Sequence, residues 1–384
     1  MRFPFKHMIL ALPLLTVIGC APDDDLRLDG FGLLAINLDL SSEALGTLAS
    51  TSWGGVDVPG EFRVGAVRLA TQVSYGGAST IDTYKKNIDV RFSGGEEWRG
   101  RRRWRLSAQT MDPTMLRGST GFAAMREAGL TVPEVEPVVV YLNRELLGLY
   151  LLTERIDPDF FAVRGLDARS IYKAQLGNAT FGTARLPDLE RGFSIRSKPE
   201  SYVDLKNFID QLASPELDRD PEKFFELVDE SSLWTYMAAS TLLDNWDGWR
   251  NNFHIFNRTE NQRFVWVPWD LDRTLENYRL KEFKPGMTIY GENAVTDFIK
   301  RHPALRRRYL ARLSELASGV FAPEAHTDRI RTLADRVAAS WEKDRVLARD
   351  GRVYAAVVDD LLTTTSEWHA LVRADLAREQ ERSP

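Results

Sequence analysis

The first 150 residues alternate between apolar and polar positions in short runs. Leu34-Ala35-Ile36-Asn37-Leu38-Asp39-Leu40 is the clearest, and residues 62–69 and 88–92 repeat the pattern. Period-two alternation of this length predicts strands with one buried face. Gln72-Val73-Ser74-Tyr75 runs into Gly76-Gly77-Ala78-Ser79-Thr80, a turn of small residues. Asp112 followed by Pro113 reads as the start of a helix that runs to Ala128 and stops at Gly129, because Asp caps, Pro fits the first turn and Gly ends one. Two strands, residues 138–142 and 147–152, flank Asn143-Arg144-Glu145 as a hairpin. Beyond residue 200 the spacing becomes helical over 205–212, 223–227 and 233–246. A second hairpin, Phe253-His254-Ile255-Phe256 with Arg263-Phe264-Val265-Trp266-Val267, interrupts it, and residues 303–380 are again mostly helical. No repeat or long low-complexity segment is visible. The pattern predicts an α+β protein: a β-rich region with one helix over 31–157, then a mainly helical region over 158–380.

Composition adds limits to this picture. The chain has 384 residues, 43% hydrophobic and 27% charged, an ordinary globular balance long enough for two domains or one large bilobal one. Its net charge of −5 lacks the basic footprint of a nucleic-acid binder. A single cysteine among 384 residues excludes an internal disulfide framework and a cysteine-rich zinc site. That cysteine, Cys20, closes a segment with Arg2 and Lys6 followed by an apolar run from Ile9 to Ile18. The run is too short to span a bilayer, which takes about 20 residues, and has the form of an export signal. Val17-Ile18-Gly19-Cys20 resembles the lipoprotein processing box. Residues 1–19 then form the signal, Cys20 carries the lipid, and the segment to residue 30, with Ala21-Pro22-Asp23-Asp24-Asp25, is a polar tether. The expectation is an exported, membrane-anchored lipoprotein. Ala21 after the cysteine favours the outer membrane or cell surface over the inner membrane.

The densest polar constellation lies between Asp244 and Asp272. It reads Asp244-Asn245-Trp246-Asp247-Gly248-Trp249-Arg250-Asn251-Asn252, then Trp266-Val267-Pro268-Trp269-Asp270-Leu271-Asp272. Five of the ten tryptophans fall between Trp234 and Trp269, which predicts a site with apolar walls and a few fixed polar groups. An Asp and an Asn five residues apart, followed by a second Asp beyond a hairpin, suit magnesium-dependent phosphoryl transfer. One carboxylate orients the attacking hydroxyl, and hard oxygen donors hold the metal. The competing reading is a tight turn capped by Asp and Asn with a solvated strand end. Five arginines at 99, 101, 102, 103 and 105, around Trp104, read as a solvated strand face or as a contact for an anion.

The chain resembles the spore-coat protein H (CotH) kinase family. The residues that carry the resemblance are Tyr75-Gly76-Gly77-Ala78-Ser79-Thr80 with Lys85-Lys86, then Val140-Tyr141-Leu142-Asn143 through Gly148-Leu149-Tyr150-Leu151-Leu152-Thr153-Glu154-Arg155-Ile156-Asp157 and Ile171-Tyr172-Lys173, and the two halves of the acidic constellation. The resemblance implies an atypical protein-kinase-like bilobal fold, with a small β-rich N-lobe and a larger, mainly helical C-lobe carrying the site. It implies Asp247 as the catalytic aspartate, with Asn252, Asp270 and Asp272 as metal ligands, Asp272 alternatively pairing with Arg273 or Lys173. Lys85 or Lys86 would reach the nucleotide phosphates, Lys85 being the closer match, with Arg117 or Glu127 of the helix candidate from Pro113 as a partner for the lysine or the phosphates. Glu154 and Lys173 would border the cofactor, and Tyr150 and Trp266 would pack on the adenine or in the core. Trp269-Asp270-Leu271 lacks the glycine of the usual kinase motif, and the hairpin turn has Arg144 where the family usually has glycine.

The resemblance therefore implies ATP with Mg2+ or Mn2+ as cofactors and a Ser/Thr hydroxyl of an envelope or secreted protein as acceptor, without nucleic acid. Two readings compete with it: a kinase-like binding module without catalysis, because an exported protein works where ATP is scarce, and transfer of another group such as a nucleotidyl group.

Overall fold

The computed structural model describes residues 30, 32–51, 55–77, 83–276 and 289–382. The signal segment, Cys20 and most of the tether lie outside them, as does the small-residue turn at 78–80. In chain order the elements are β1 (Leu34–Leu40), α1 (Ser42–Ser50), β2 (Val58–Val64), β3 (Val67–Gly76), β4 (Asn87–Phe92), β5 (Arg103–Ser107), α2 (Arg117–Glu127), β6 (Val135–Leu142), β7 (Glu145–Glu154) and α3 (Pro158–Ala162). There follow β8 (Ala168–Ala174), β9 (Phe193–Ile195), α4 (Val203–Leu212), α5 (Pro215–Arg219), α6 (Phe224–Leu227), α7 (Glu230–Leu242), β10 (Phe253–Arg258) and β11 (Phe264–Pro268). The chain ends with α8 (Ala294–Arg301), α9 (Pro303–Ser318), α10 (Pro323–Lys343) and α11 (Tyr354–Glu381). The protein is α+β, as the hydrophobic pattern predicts.

The first seven strands close into a barrel in the order β1-β2-β3-β4-β5-β7-β6. The closing contact is a parallel pairing of β1 with β6, Ile36 opposite Val140. Alternation sends one face of each strand inward, so Ile36, Leu38, Phe62, Val73, Val90, Trp104, Leu106 and Tyr150 form a single buried core. The expected strand over residues 62–69 is in fact the β2–β3 hairpin. Gly65 has φ 54 and breaks the run there. Helix α1 appears where only strands were expected, started by the Ser41 hydroxyl, which accepts from the Ala44 N–H. The helix expected from Pro113 begins four residues later at Arg117. Asp112 still serves its start, because one carboxylate oxygen accepts from the Arg117 N–H at 2.8 Å. The other holds Thr114 at 2.9 and 2.6 Å, which keeps residues 112–116 in a turn.

The β6–β7 hairpin turns on Asn143 and Arg144, with φ of 51 and 69, the pair of left-handed residues a two-residue turn requires. A second sheet, β11-β10-β8-β9, lies beside the helical region. Ile156, Phe160, Phe161, Ile171, Phe256, Val265, Val267 and Trp269 form a separate apolar cluster on it, directly after the chain leaves β7. Helices α7, α9, α10 and α11 build the largest core, with Trp234, Tyr236, Leu313, Val337 and Trp341 inside.

Helix α10 packs along β7, and a buried ion pair fastens the contact. The Lys85 ammonium donates to Asp344 at 2.7 Å and to the Leu149 carbonyl. Asp344 also accepts from the N–H groups of Leu149, Val346 and Leu347 at 2.9–3.0 Å. Gly148, with φ 131, makes room for this: a Cβ there would lie 2.1 Å from the Asp344 carboxylate.

Candidate active site

The acidic constellation is built at the end of α7. Helix α7 stops at Leu242, earlier than its hydrophobic spacing predicts, and residues 246–249 make one tight turn. Helix α11 holds this end in place: the Trp368 indole donates to the Thr241 carbonyl at 2.8 Å, and His369 meets the Leu242 carbonyl at 3.1 Å. The Tyr236 hydroxyl donates to the Gly248 carbonyl at 2.7 Å. The turn carrying Asp247 is thus bound to the helix that precedes it.

Asp247, Asn252 and Asp270 meet. Asp247 Oδ2 accepts from Asn252 Nδ2 at 3.0 Å and from Asn251 Nδ2 at 3.2 Å. Asn252 also donates to the Asp270 carbonyl at 3.2 Å, and Asn251 donates to Asn252 Oδ1 at 3.1 Å. No described residue bonds Asp247 Oδ1. The Trp269 N–H donates to the Asn252 carbonyl at 3.0 Å, tying the start of β10 to the residue after β11. Asp244, Asn252 and Asp270 have φ of 46, 37 and 54. Each left-handed, non-glycine residue costs about 1–3 kcal/mol and is retained where the surroundings over-determine it, which is typical of functional sites.

Burial pushes the Asp247 carboxyl above its ordinary range, and Asp270 adds to this; Asn251, Arg273 and Arg250 oppose it. Asp272 is buried and raised well above the usual carboxylate value, by burial first and then by the charges of Asp270 and Asp112. Arg273 and Arg117 lie close enough to counter it.

Among the described residues no cluster of three or more His, Cys, Asp or Glu side chains encloses a metal site. The donor set still fits magnesium or manganese, because such ions use one or two protein oxygens and complete their shell with water and phosphate. Asn252 Oδ1 and the half-buried Asp270 carboxylate are hard oxygens of that kind.

A cleft of about 1070 Å³ opens beside this cluster, between the barrel and the second sheet. Its floor includes Ile156, Phe161, Ile171 and Ile195, and Trp269 and His254 stand at one side. Lys173 faces into it. Burial, then Arg105, Arg155 and Arg196, push the Lys173 ammonium down to about 8, against the opposing charges of Asp270 and Asp89. The His254 imidazole is held neutral by burial and by Lys173, Arg196 and Arg155.

Other expected residues sit elsewhere. Lys85 is 4% exposed and committed to Asp344, so its partner is neither Arg117 nor Glu127. Arg117 donates to the Met111 and Leu275 carbonyls, and Glu127 pairs with Arg329. Lys86 is half-buried next to β4. Glu154 is fully buried: Arg101, Arg164 and the Glu134 N–H occupy both of its oxygens, which leaves it no reach into the cleft. Tyr150 lies in the barrel core with the Lys85 ammonium 4.5 Å from its ring centre. Trp266 packs on Phe181 in the helical core.

In two of these cases a residue slightly further along takes the cleft-facing place, Arg155 directly after Glu154 and Trp269 three after Trp266. The arginine-rich stretch is a solvated face at Arg99, Arg102 and Arg103, which are exposed, while Arg101 and Arg105 are half-buried. Arg99, Arg101, Arg102 and Arg105 pair with Glu136, Glu154, Asp159 and Asp89.

A family model described as CotH kinase protein matches residues 73–366. The inner spore coat protein H of Bacillus subtilis (strain 168) is 24% identical over 296 residues, covering 74% of this chain and 81% of that protein. Among solved structures, the Helicobacter pylori proinflammatory kinase CtkA is similar over 78% of this chain and 95% of its own, at 11% identity and a TM-score of 0.39. HipA–HipB of Shewanella oneidensis MR-1 with operator DNA matches 76% of this chain and 60% of its own, at 14% identity and a TM-score of 0.34.

Proposed function

This chain belongs to the CotH kinase protein family, and on that premise we propose that it transfers a phosphoryl group from ATP to a Ser or Thr hydroxyl of an envelope or secreted protein. The observation that carries the reading is the hydrogen-bonded meeting of Asp247, Asn252 and Asp270 beside a cleft with an apolar floor and a basic wall. In this reading the barrel and the helical region are the two lobes of a kinase-like fold.

The mechanism follows from which atoms are already engaged. Asn251 and Asn252 anchor Asp247 through Oδ2, so Oδ1 faces the acceptor hydroxyl. The raised proton affinity of the buried carboxyl suits it to take the hydroxyl proton as the new bond forms. Asn252 and Asp270 would hold Mg2+ or Mn2+, with Asp272 beside them. When bound, the ion supplies positive charge to the phosphate oxygens. The rest of catalysis is positioning by residues whose backbone is fixed in advance. Cys20, lipidated after export, would anchor the enzyme at the outer membrane or cell surface.

The test is ATP binding and turnover by the full chain purified in detergent, with magnesium or manganese, and products read by mass spectrometry. The expected result is metal-dependent binding and an acceptor heavier by one phosphoryl group, both lost in Asp270→Ala. A nucleotidyl mass increment would replace kinase chemistry by nucleotidyl transfer. Absence of nucleotide binding with either metal, from a folded protein, would leave a binding module.

A further inference from the structure

Six residues beyond Asp270 the chain returns to the turn that carries Asp247. There Glu276 is 7% exposed, and both of its carboxylate oxygens are engaged. The Trp246 indole N–H donates to Oε2 at 3.2 Å. The Arg273 guanidinium donates to Oε1 at 3.2 Å and to Oε2 at 3.3 Å. Arg273 also lies over the Trp246 ring, 4.7 Å from its centre, so the three side chains close on one another. Trp246 is the residue next to Asp247. The backbone adds a second tie: the Leu275 N–H donates to the Leu243 carbonyl at 3.1 Å, and Arg117 of α2 donates to the Leu275 carbonyl at 3.4 Å. Within the segment the Thr274 hydroxyl donates to the Leu271 carbonyl at 2.8 Å. Leu275 has φ 52, a left-handed value that such a residue keeps only where its surroundings fix it.

We propose that Glu276 is a positioning residue for group transfer: through Trp246 and Arg273 it sets the separation between the Asp247 carboxylate and the Asp270 loop. The proposal rests on the phosphotransferase reading and adds how the two halves of that site are kept in register. The base meets the attacking hydroxyl and the metal-holding residues meet the group being transferred, yet the two arrive on separate stretches of chain. On the side of the hairpin β10–β11 they are joined by Asn252, which bonds Asp247 Oδ2 and the Asp270 carbonyl. Glu276 joins them from the other side, one residue before Asp247 and beyond Asp272. The turn is thus bracketed, and neither half can shift without breaking a bond to the other.

The burial of this carboxylate sets it apart from a surface ion pair. Arg219–Glu216, also three positions apart, is exposed on both sides, whereas Glu276 is enclosed and spends one oxygen on the neighbour of the base. A charge-assisted fork of this kind fixes direction as well as distance. Removing the carboxylate leaves the Trp246 N–H without its acceptor and releases Arg273 from the ring. Displacing a base by about 1 Å is enough to cost about 10²-fold in rate.

The experiment compares Glu276→Ala, Glu276→Gln and Trp246→Phe with wild type, each as the full chain in detergent. Turnover is read as MgATP hydrolysis to ADP and phosphate, with water in the place of the acceptor hydroxyl, and MgATP affinity by calorimetry. Amide hydrogen exchange follows residues 244–252, with the barrel strands and α10 as reference. In Glu276→Ala, kcat is expected to fall by about 10²-fold while MgATP affinity stays within about twofold. Glu276→Gln, which keeps an acceptor for Trp246, should lose less. Trp246→Phe should lower kcat by itself and add nothing in the Glu276→Ala chain, because both remove one tie. Exchange should quicken at 244–252 and stay level in the barrel and α10.

Wild-type hydrolysis with kcat unchanged in Glu276→Ala would reject the positioning role and keep the phosphotransferase reading. Faster exchange throughout the chain would reduce Glu276 to a stabilising residue, and weakened MgATP affinity at unchanged kcat would overturn the assignment in favour of binding. If wild type hydrolyses no MgATP, the phosphotransferase reading falls, and exchange at 244–252 decides by itself whether Glu276 orders the Asp247 turn.

Discussion

At Asp247 one carboxylate oxygen is occupied by two asparagine amides and the other is open, and this asymmetry separates rate from folding. Asp247→Asn keeps an acceptor for Asn252 and loses the base. Turnover is expected to fall by about 10²–10⁴, the usual worth of a positioned base, while the urea midpoint stays near wild type; single-turnover kinetics and denaturation measure the two. Arg144 makes the opposite case, a residue that strains the fold without touching the site. Its φ of 69 costs a side chain about 1–2 kcal/mol. Arg144→Gly should therefore raise stability by about 1 kcal/mol with no change in ATP turnover.

Residue spacing made Asp247, Asn252 and Asp270 legible, because five positions and one hairpin are short-range facts. It did not separate Tyr150 and Trp266 from Trp269. All three are aromatic and near a motif, and only the packing decides that the first two fill cores while the third faces the cleft.

Among the elements, the strands that alternate cleanly and the long C-terminal helices were readable from period alone. β5 was not: Trp104 and Leu106 point inward between Arg103 and Arg105, and the arginines make a core strand look like a charge run. β9 has three residues and is too short to announce itself, and β8, Ala168–Ala174, shows no clean alternation, so the cations at these strands had no visible common destination.

Helices α10 and α11 make a prediction of their own. His326 on α10 and His369 on α11 stand 5.8 Å apart. Burial, with each other's or a neighbouring arginine's charge, pushes them down to about 3 and about 4; Arg329 faces the first, and the Leu242 carbonyl and Arg373 face the second. An unfolded histidine takes up its proton near pH 6.5 and these do not. The unfolded state therefore binds more protons as pH falls below that value, and stability declines with it, by about 1.4 kcal/mol per pH unit per histidine. The urea midpoint should be lower at pH 5 than at pH 7, and His326→Leu should flatten that dependence. A midpoint that is level over this range would contradict the neutral buried pair.

For the molecule as a whole, the Lys85–Asp344 pair joins barrel to helices. Removing one charge leaves the other buried and unpaired, at about 3–5 kcal/mol. Lys85→Met should cost that much in a wild-type background and clearly less in Asp344→Asn, and a double-mutant cycle by urea denaturation reads the difference. Strictly additive effects would mean that the two charges do not depend on each other. No local signal in the sequence announces this contact, since the two residues are 259 positions apart. The resemblance singled out Lys85 and, separately, the β7 segment with Gly148, but not the aspartate that requires the glycine.

The same pair has a consequence for biosynthesis. Residues leave the ribosome or a secretion channel in order, so every strand of the barrel is delivered long before Asp344. Until then Lys85 has a site inside the protein and no counter-charge to enter it with, and β7 lacks the helix that covers it. A chain cut short before residue 344 should not leave behind a finished barrel. The nascent first half has to be kept open, or kept from sticking to its neighbours, until the last helices arrive to complete it.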